Sequence, residues 1–161
     1  MIKVLFVCLG NICRSPMAEA IFNGLIRQHG LEGLVESDSA GTSDYHIGEP
    51  PDPRTLDIVR KYQLELNHRG RQFTVGDFGK FDYILAMDES NLSNIRRKSP
   101  TSVSQDRVFL MREFDEQADS QGVPDPYWSG EDGFEEVYQI LHRSCQNFID
   151  YLKKNHPELA Q

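Results

Sequence analysis

Residues 2–16 constrain this chain more than any other stretch. Ile2-Lys3-Val4-Leu5-Phe6-Val7-Cys8 is apolar apart from one lysine and rich in β-branched and aromatic side chains. That composition belongs to a strand buried on both faces of a parallel sheet. Ser15-Pro16 then reads as a helix N-cap and its first helical residue. Met17, Ile21, Phe22, Leu25 and Ile26 mark one face of a helix that ends near Gly30. The apolar part of the opening run is short, and no small-residue cleavage site follows it, so a buried strand is expected rather than a secretion signal.

The alternation continues. Leu34–Ala40 is a weaker strand, closed by Gly41-Thr42-Ser43, and the Pro-rich loop 48–53 leads into a helix over Arg54–Tyr62. Phe81–Met87 reads as a strand, Asp88–Lys98 as a helix and Arg107–Met111 as a short fourth strand. Arg112–Gly130, rich in charge, Gly and Pro, reads as loop. Phe134–Lys153 closes the chain as a long helix, with Phe134, Val137, Ile140 or Leu141, Phe148 and Leu152 facing inward. The expected fold is α/β. It is a single domain over residues 1–161, doubly wound, with a central four-stranded parallel sheet and helices on both faces. Ligands of such folds bind at the carboxyl ends of the strands.

A formal net charge of −8 argues against nucleic acid or an anionic membrane as a partner. It does not exclude a small anionic substrate held by backbone N–H groups. Three cysteines, Cys8, Cys13 and Cys145, are too few for a disulfide scaffold and fit a reducing compartment, so a cytoplasmic protein is expected. No histidine lies near Cys8 and Cys13 in sequence, which disfavours zinc.

The chemistry is expected in the junction Cys8-Leu9-Gly10-Asn11-Ile12-Cys13-Arg14-Ser15. It leaves a buried strand and enters a helix N-terminus, where backbone N–H groups can curl around an anion. Gly10 and Asn11 are residue types that accept the positive φ of a tight cradle. A thiol in that field ionises readily, since cysteines at helix N-termini have pKa values of roughly 3.5–7.5 against about 8.5 when free. Arg14 can hold two phosphate oxygens with its planar fork, and Ser15 could donate its hydroxyl to the thiolate. The competing reading is an inert Cys8 at a strand end and a surface Arg14. Phosphoryl transfer also needs an acid. Asp125 lies in Val123-Pro124-Asp125-Pro126-Tyr127-Trp128, where two prolines stiffen the chain around one carboxylate. On composition alone, an ordinary Asp-Pro turn is the better account of it.

Val4 to Ala20 resembles the amino-terminal signature of the low-molecular-weight protein tyrosine phosphatases. The resemblance runs nearly end to end, through Asp38–Ser43, then Gly48, Pro51-Asp52 and Arg54, then His68–Gln72, Phe81–Leu92 and Asp125-Pro126-Tyr127. It implies a two-step reaction without metal or other cofactor. Cys8 attacks phosphorus, Asp125 protonates the leaving group, and water then hydrolyses the cysteinyl-phosphate with Asp125 as base. It further implies that Asn11 braces the loop through Ser39 and His68, and that Leu9, Ile12, Tyr45, Tyr127 and Trp128 wall the pocket. Cys13 occupies the position of a second loop thiol able to trap Cys8 as a disulfide, or is simply a small buried residue. Implied partners are phosphotyrosine-containing proteins, met by a monomer.

Trp128 stands where some relatives carry the second of two adjacent tyrosines phosphorylated in regulation, so this chain departs from that pair. Ile12 stands where phosphoarginine-specific relatives often carry Thr, and so points to phosphotyrosine. An arsenate reductase on the same fold would need redox cysteines around the third strand, where this chain has Ala86 and no Cys. A catalytically dead phosphopeptide-binding module would usually lack the nucleophile or the acid, and both are present.

Overall fold

The computed structural model describes residues 1–100, 105–119 and 122–160. Four strands, β1 (Ile2–Cys8), β2 (Val35–Gly41), β3 (Tyr83–Ala86) and β4 (Val108–Leu110), form one sheet in the order β2-β1-β3-β4, with every pairing parallel. Side chains of β1 alternate between two buried layers, as a strand's period of two requires. Val4, Phe6 and Cys8 face the larger layer, where α1 (Arg14–Gln28) and α5 (Gly130–Asn155) pack together through Phe22, Met17, Phe148 and Leu152. Leu5 and Val7 face the opposite layer, with Phe73 and with Leu92 and Ile95 of α4 (Glu89–Lys98). Helices therefore cover both faces, and the doubly wound four-stranded arrangement read from the sequence holds.

The strand order reverses direction between β1 and β3, and open α/β sheets bind ligands at such a point. There Cys8 ends β1 opposite Gly41, and Asp88 follows β3 as the N-cap of α4. The remaining helix of substance, α2 (Pro53–Lys61), is capped by Asp52, whose carboxylate accepts from the Arg54 N–H.

Several local expectations need correction. Helix α1 starts at Arg14, and Ser15 is not its N-cap, because the Cys13 carbonyl already accepts from the Met17 N–H and the Ser15 hydroxyl turns toward Cys8. Pro16 is tolerated because first-turn N–H groups have no intrahelical acceptor. The span Arg112–Gly130 is not plain loop. Met111–Phe114 and Pro126–Trp128 each make a short 3-10 turn, while residues 120 and 121 lie outside the described residues. A one-turn helix, α3 (Asp77–Lys80), was not expected, and α5 is longer at both ends than the periodicity of Phe134–Lys153 implied. Among the described residues, no helix is long and apolar enough to cross a membrane.

Candidate active site

The loop from Cys8 to Arg14 is shaped by where its carbonyls go. The Cys8 carbonyl accepts from the Thr42 N–H at 2.9 Å, and that of Leu9 accepts from the Ser43 N–H at 3.0 Å and the Ser43 hydroxyl at 2.9 Å. The Ile12 carbonyl accepts from the Asp52 N–H at 2.8 Å and the Cys13 carbonyl from the Thr55 hydroxyl at 3.2 Å. With these four oxygens drawn outward to neighbouring segments, the loop is free to turn N–H groups inward, and that of Asn11 points to the Cys8 sulfur, as in an anion-binding nest. Asn11 takes the left-handed conformation, φ 58°. Gly10 does not, contrary to expectation. Its constraint is space, because a Cβ there would sit 3.0 Å from the His46 ring. Gly41 is similarly forced, since its Cβ would lie 2.8 Å from the Leu9 carbonyl oxygen.

Cys8 lies at the floor, only 2% exposed. Its sulfur sits 3.3 Å from the Asn11 nitrogen, whose N–H donates to it, and 3.0 Å from the Ser15 hydroxyl. Asn11 also donates through its side-chain amide to the hydroxyls of Ser15 at 2.9 Å and Ser39 at 3.0 Å. Its Oδ1 accepts from the Arg71 N–H at 3.0 Å and from His68 Nε2 at 2.7 Å. Sequence separations of 28 to 60 residues are thereby tied to one side chain. The network ends in Glu19, which accepts from the Ser39 hydroxyl at 2.7 Å and lies 3.3 Å from His68 Nδ1.

Burial, with Asp38 nearby, pushes the Glu19 carboxyl up to about 7 against the easing of the Ser39 hydroxyl. Burial also holds His68 below its ordinary range, against the pull of Asp38. Both directions fit a contact in which one proton lies between two acceptor atoms. Glu19, Asp38 and His68 bring their ligand-type atoms within 4.8 Å of one another, but Asp38 accepts from Arg71 Nε at 3.2 Å. These groups are already engaged as a polar brace.

Arg14 is buried under the cavity. Its Nη1 donates to Asp88 at 2.7 Å and to the Val123 carbonyl at 3.1 Å, and its Nη2 lies 3.6 Å from Asp125. Burial acts against its charge, but Cys8, Asp88 and Asp125 outweigh that, so the guanidinium is held above its ordinary range. Asp125 accepts from the Tyr127 N–H at 3.1 Å, and its side chain is 42% exposed. Arg54, tied to Asp52, reaches across to donate to the Tyr127 carbonyl at 3.1 Å.

The cavity above Cys8 has a volume of about 340 Å³, and the expected walls, Leu9, Ile12, Tyr45, Tyr127 and Trp128, all line it. So does His46, whose Nδ1 contacts Glu49. Cys13 also lines the cavity. Its thiol is driven up by burial, then by Asp52, Cys8 and Asp125, and it leans on the Asp52 carboxylate. All three cysteines are free thiols, and Cys145 is fully buried in α5, remote from the cavity lining. The expected site residues are thus gathered in one place. Sequence reasoning missed Asp88, Arg54, His46 and Glu19. Asp88 had a local signal as the first residue after a strand, but nothing local pointed to its partner, Arg14, 74 positions away.

A sulfur in an N–H nest at the switch point of a parallel sheet, with an arginine beneath it and a carboxylate across a cavity, defines an anion-handling thiol site. The family model described as low molecular weight phosphotyrosine protein phosphatase matches residues 3–158. The chain belongs to that family. It is 48% identical over 149 residues to the low molecular weight phosphotyrosine protein phosphatase of Schizosaccharomyces pombe, covering 92% of this chain and 95% of that one. Among solved structures, a protein tyrosine phosphatase from Entamoeba histolytica with Hepes in its active site superposes with a TM-score of 0.92 at 39% identity, covering 96% of this chain and 99% of that one. An arginine phosphatase from Drosophila superposes with a TM-score of 0.89 at 36% identity, covering 94% and 98%.

Proposed function

We propose that this chain hydrolyses phosphotyrosine in proteins through a cysteinyl-phosphate intermediate, with Cys8 as nucleophile, Arg14 as phosphate clamp and Asp125 as general acid and base. The observation that carries this reading is the Cys8 sulfur, held between the Asn11 N–H and the Ser15 hydroxyl at the floor of a cavity whose opposite side bears Asp125. In the first step the Cys8 thiolate forms an S–P bond as the P–O bond to the tyrosine ring breaks. The electron pair goes to the phenolic oxygen, which takes the proton of Asp125. In the second step a water oxygen attacks phosphorus and gives a proton to Asp125. The S–P bond breaks, and inorganic phosphate leaves.

The Ser15 hydroxyl and Asn11 N–H stabilise the departing thiolate. The nest N–H groups of residues 9 to 13 and the Arg14 fork carry the charge on the transferring phosphoryl group. Asn11, Ser39 and His68 keep the nest in shape. Leu9, Ile12, Tyr45, Tyr127 and Trp128 hold the ring, and the apolar Ile12 favours phosphotyrosine over phosphoarginine. Cys13 is proposed as the thiol that condenses with a peroxide-oxidised Cys8 sulfenic acid, releasing water and closing a disulfide. Activity should then return after dithiothreitol in wild type and less completely in Cys13→Ser. The protein is proposed to act as a cytoplasmic monomer with one catalytic domain over residues 1–161, because every group the reaction needs comes from one chain.

The test is turnover of p-nitrophenyl phosphate, a phosphotyrosine peptide and a phosphoarginine peptide by wild type and Cys8→Ser. The reading expects turnover of the first two by wild type alone, because a serine hydroxyl does not ionise at neutral pH in this nest. Substantial residual turnover by Cys8→Ser, or a preference for phosphoarginine, contradicts it.

A further inference from the structure

Leu9 and Tyr45 are walls with two sides. They line the catalytic cavity and also a second groove of about 510 Å³ behind it. Thr42, Ser43 and Gln72 form one side of that groove, and Asn94, Arg97 and Lys98 from the last turns of α4 form the other.

Two observations mark it as more than a surface dent. The first is charge. Arg97 is exposed and, among the described residues, is engaged sideways by the Asn94 side chain one turn earlier. Lys98 is held in place by the Phe73 carbonyl at 3.2 Å and by the Phe73 ring. Neither cation forms an ion pair with a carboxylate among the described residues, whereas Arg14, Arg54, Arg71 and Arg112 each do. Two neighbouring cations without a carboxylate partner among the described residues make a local positive field in a chain of net charge −8. Asp44, at the Tyr45 end, is the only carboxylate among the described lining residues, and it is exposed. The second observation concerns hydrogen bonding. Thr42 Oγ1 is buried with no partner among the described residues, although buried hydroxyls ordinarily find one. The backbone of the same residue donates to the Cys8 carbonyl, so the groove is anchored directly on the phosphate loop.

We infer that this groove reads an acidic stretch beside the phosphotyrosine, making acid-flanked phosphotyrosyl segments the preferred substrate class. The inference rests on the phosphatase activity proposed above. A peptide whose phosphotyrosine fills the catalytic cavity must cross the Leu9–Tyr45 wall to continue. An extended chain advances about 3.3 Å per residue, so the residues beside the phosphotyrosine enter the groove that Arg97 and Lys98 line. Basic residues at the end of α4 also complement its helix dipole. That role alone would show in stability and not in the choice of peptide.

The experiment compares wild type, Arg97→Gln and Arg97→Gln/Lys98→Gln. Each is assayed on p-nitrophenyl phosphate and on phosphotyrosine peptides flanked by acids on the amino side, by acids on the carboxyl side, or by alanines. Wild type should favour one acid-flanked peptide over the alanine peptide by about fivefold to tenfold in kcat/KM, and added salt should shrink that advantage. The single variant should lose part of the preference and the double variant nearly all of it, with p-nitrophenyl phosphate turnover unchanged. No wild-type preference for acids on either side overturns the inference. So does a preference that survives both variants, including one that survives while the melting temperature falls. If wild type turns over none of the substrates, p-nitrophenyl phosphate included, the phosphatase reading itself fails and takes the groove with it.

Discussion

The phosphate loop and the acid loop face each other across one cavity and are held in opposite ways. Cys8, Asn11 and Arg14 are buried, and the loop's carbonyls and the Asn11 side chain are satisfied by segments up to 60 positions away. Asp125 is 42% exposed and hangs from an N–H two residues on, a 3.6 Å contact to Arg14 and the reach of Arg54 to the Tyr127 carbonyl. Trp128 beside it is 88% exposed. The cradle is built by the core before any substrate arrives, whereas the acid and the aromatic rim are tethered by a few polar contacts at the surface. Phosphate chemistry and partner choice can therefore vary separately.

The largest expected effect breaks the exposed side. Asp125→Asn keeps the size of the side chain and removes its transferable proton. A loss of about 10²–10⁴ is expected on a phosphotyrosine peptide, less on p-nitrophenyl phosphate, whose leaving group needs little help. On the proposed mechanism the rate depends on a thiolate together with a protonated acid, so wild type should follow a bell in pH whose basic limb reports the acid. In Asp125→Asn the basic limb should flatten. Equal losses on good and poor leaving groups, with the basic limb intact, would make the loop merely structural.

On the buried side, Arg14→Lys should cost about 10²–10³ in kcat/KM on both substrates alike, because a point charge cannot replace two parallel donors. A leaving-group dependence like that of Asp125→Asn would blur the contrast between the two loops.

The brace behind the nest makes a prediction in stability. Glu19 is pushed up to about 7 in the folded chain, from 4.5 for an unburied glutamate. The folded state therefore keeps a proton that the unfolded state has lost, and stability falls as pH rises from about 4.5 to about 7, then levels off. The cost is on the order of 3 kcal/mol. Glu19→Gln should remove this slope, and the difference between variant and wild type in denaturant melts reports the joint titration of Glu19 and the His68 it contacts. A difference that does not change across that window would mean Glu19 is ionised in the fold.

The smallest effect belongs to the outermost residue. Trp128→Ala should leave p-nitrophenyl phosphate turnover within about twofold and raise KM for a phosphotyrosine peptide about threefold, since a rim side chain this exposed contributes little desolvation. A loss of kcat on both substrates would show that the indole orders the acid loop.

How much of this was legible in the sequence follows the same division. The strand, the loop and the helix around Cys8 and Arg14 could be read because their signals lie within a few residues of one another. The sequence places the helix start two residues late, because the Ser15 hydroxyl serves the sulfur and not the helix end. Asp125 was ambiguous from composition, since an Asp-Pro turn and a general acid look alike locally, and only the ordered family resemblance separated them. Asp88, Arg54 and Glu19 act through partners distant in sequence or through burial, which no local spacing encodes. The turn at Asp77–Lys80 is too short to show a helical period.

The central claim is that phosphate passes through the Cys8 sulfur. Asp125→Asn should still accept phosphate from p-nitrophenyl phosphate while lacking the base that activates water, so the intermediate should accumulate. The variant mixed with that substrate, quenched in alkaline denaturant within one turnover and digested at alkaline pH, should show one added phosphate on the peptide that carries Cys8. The same treatment of Cys8→Ser should show none. Continued turnover with no phosphate on Cys8, or phosphate found on another residue, would contradict the account.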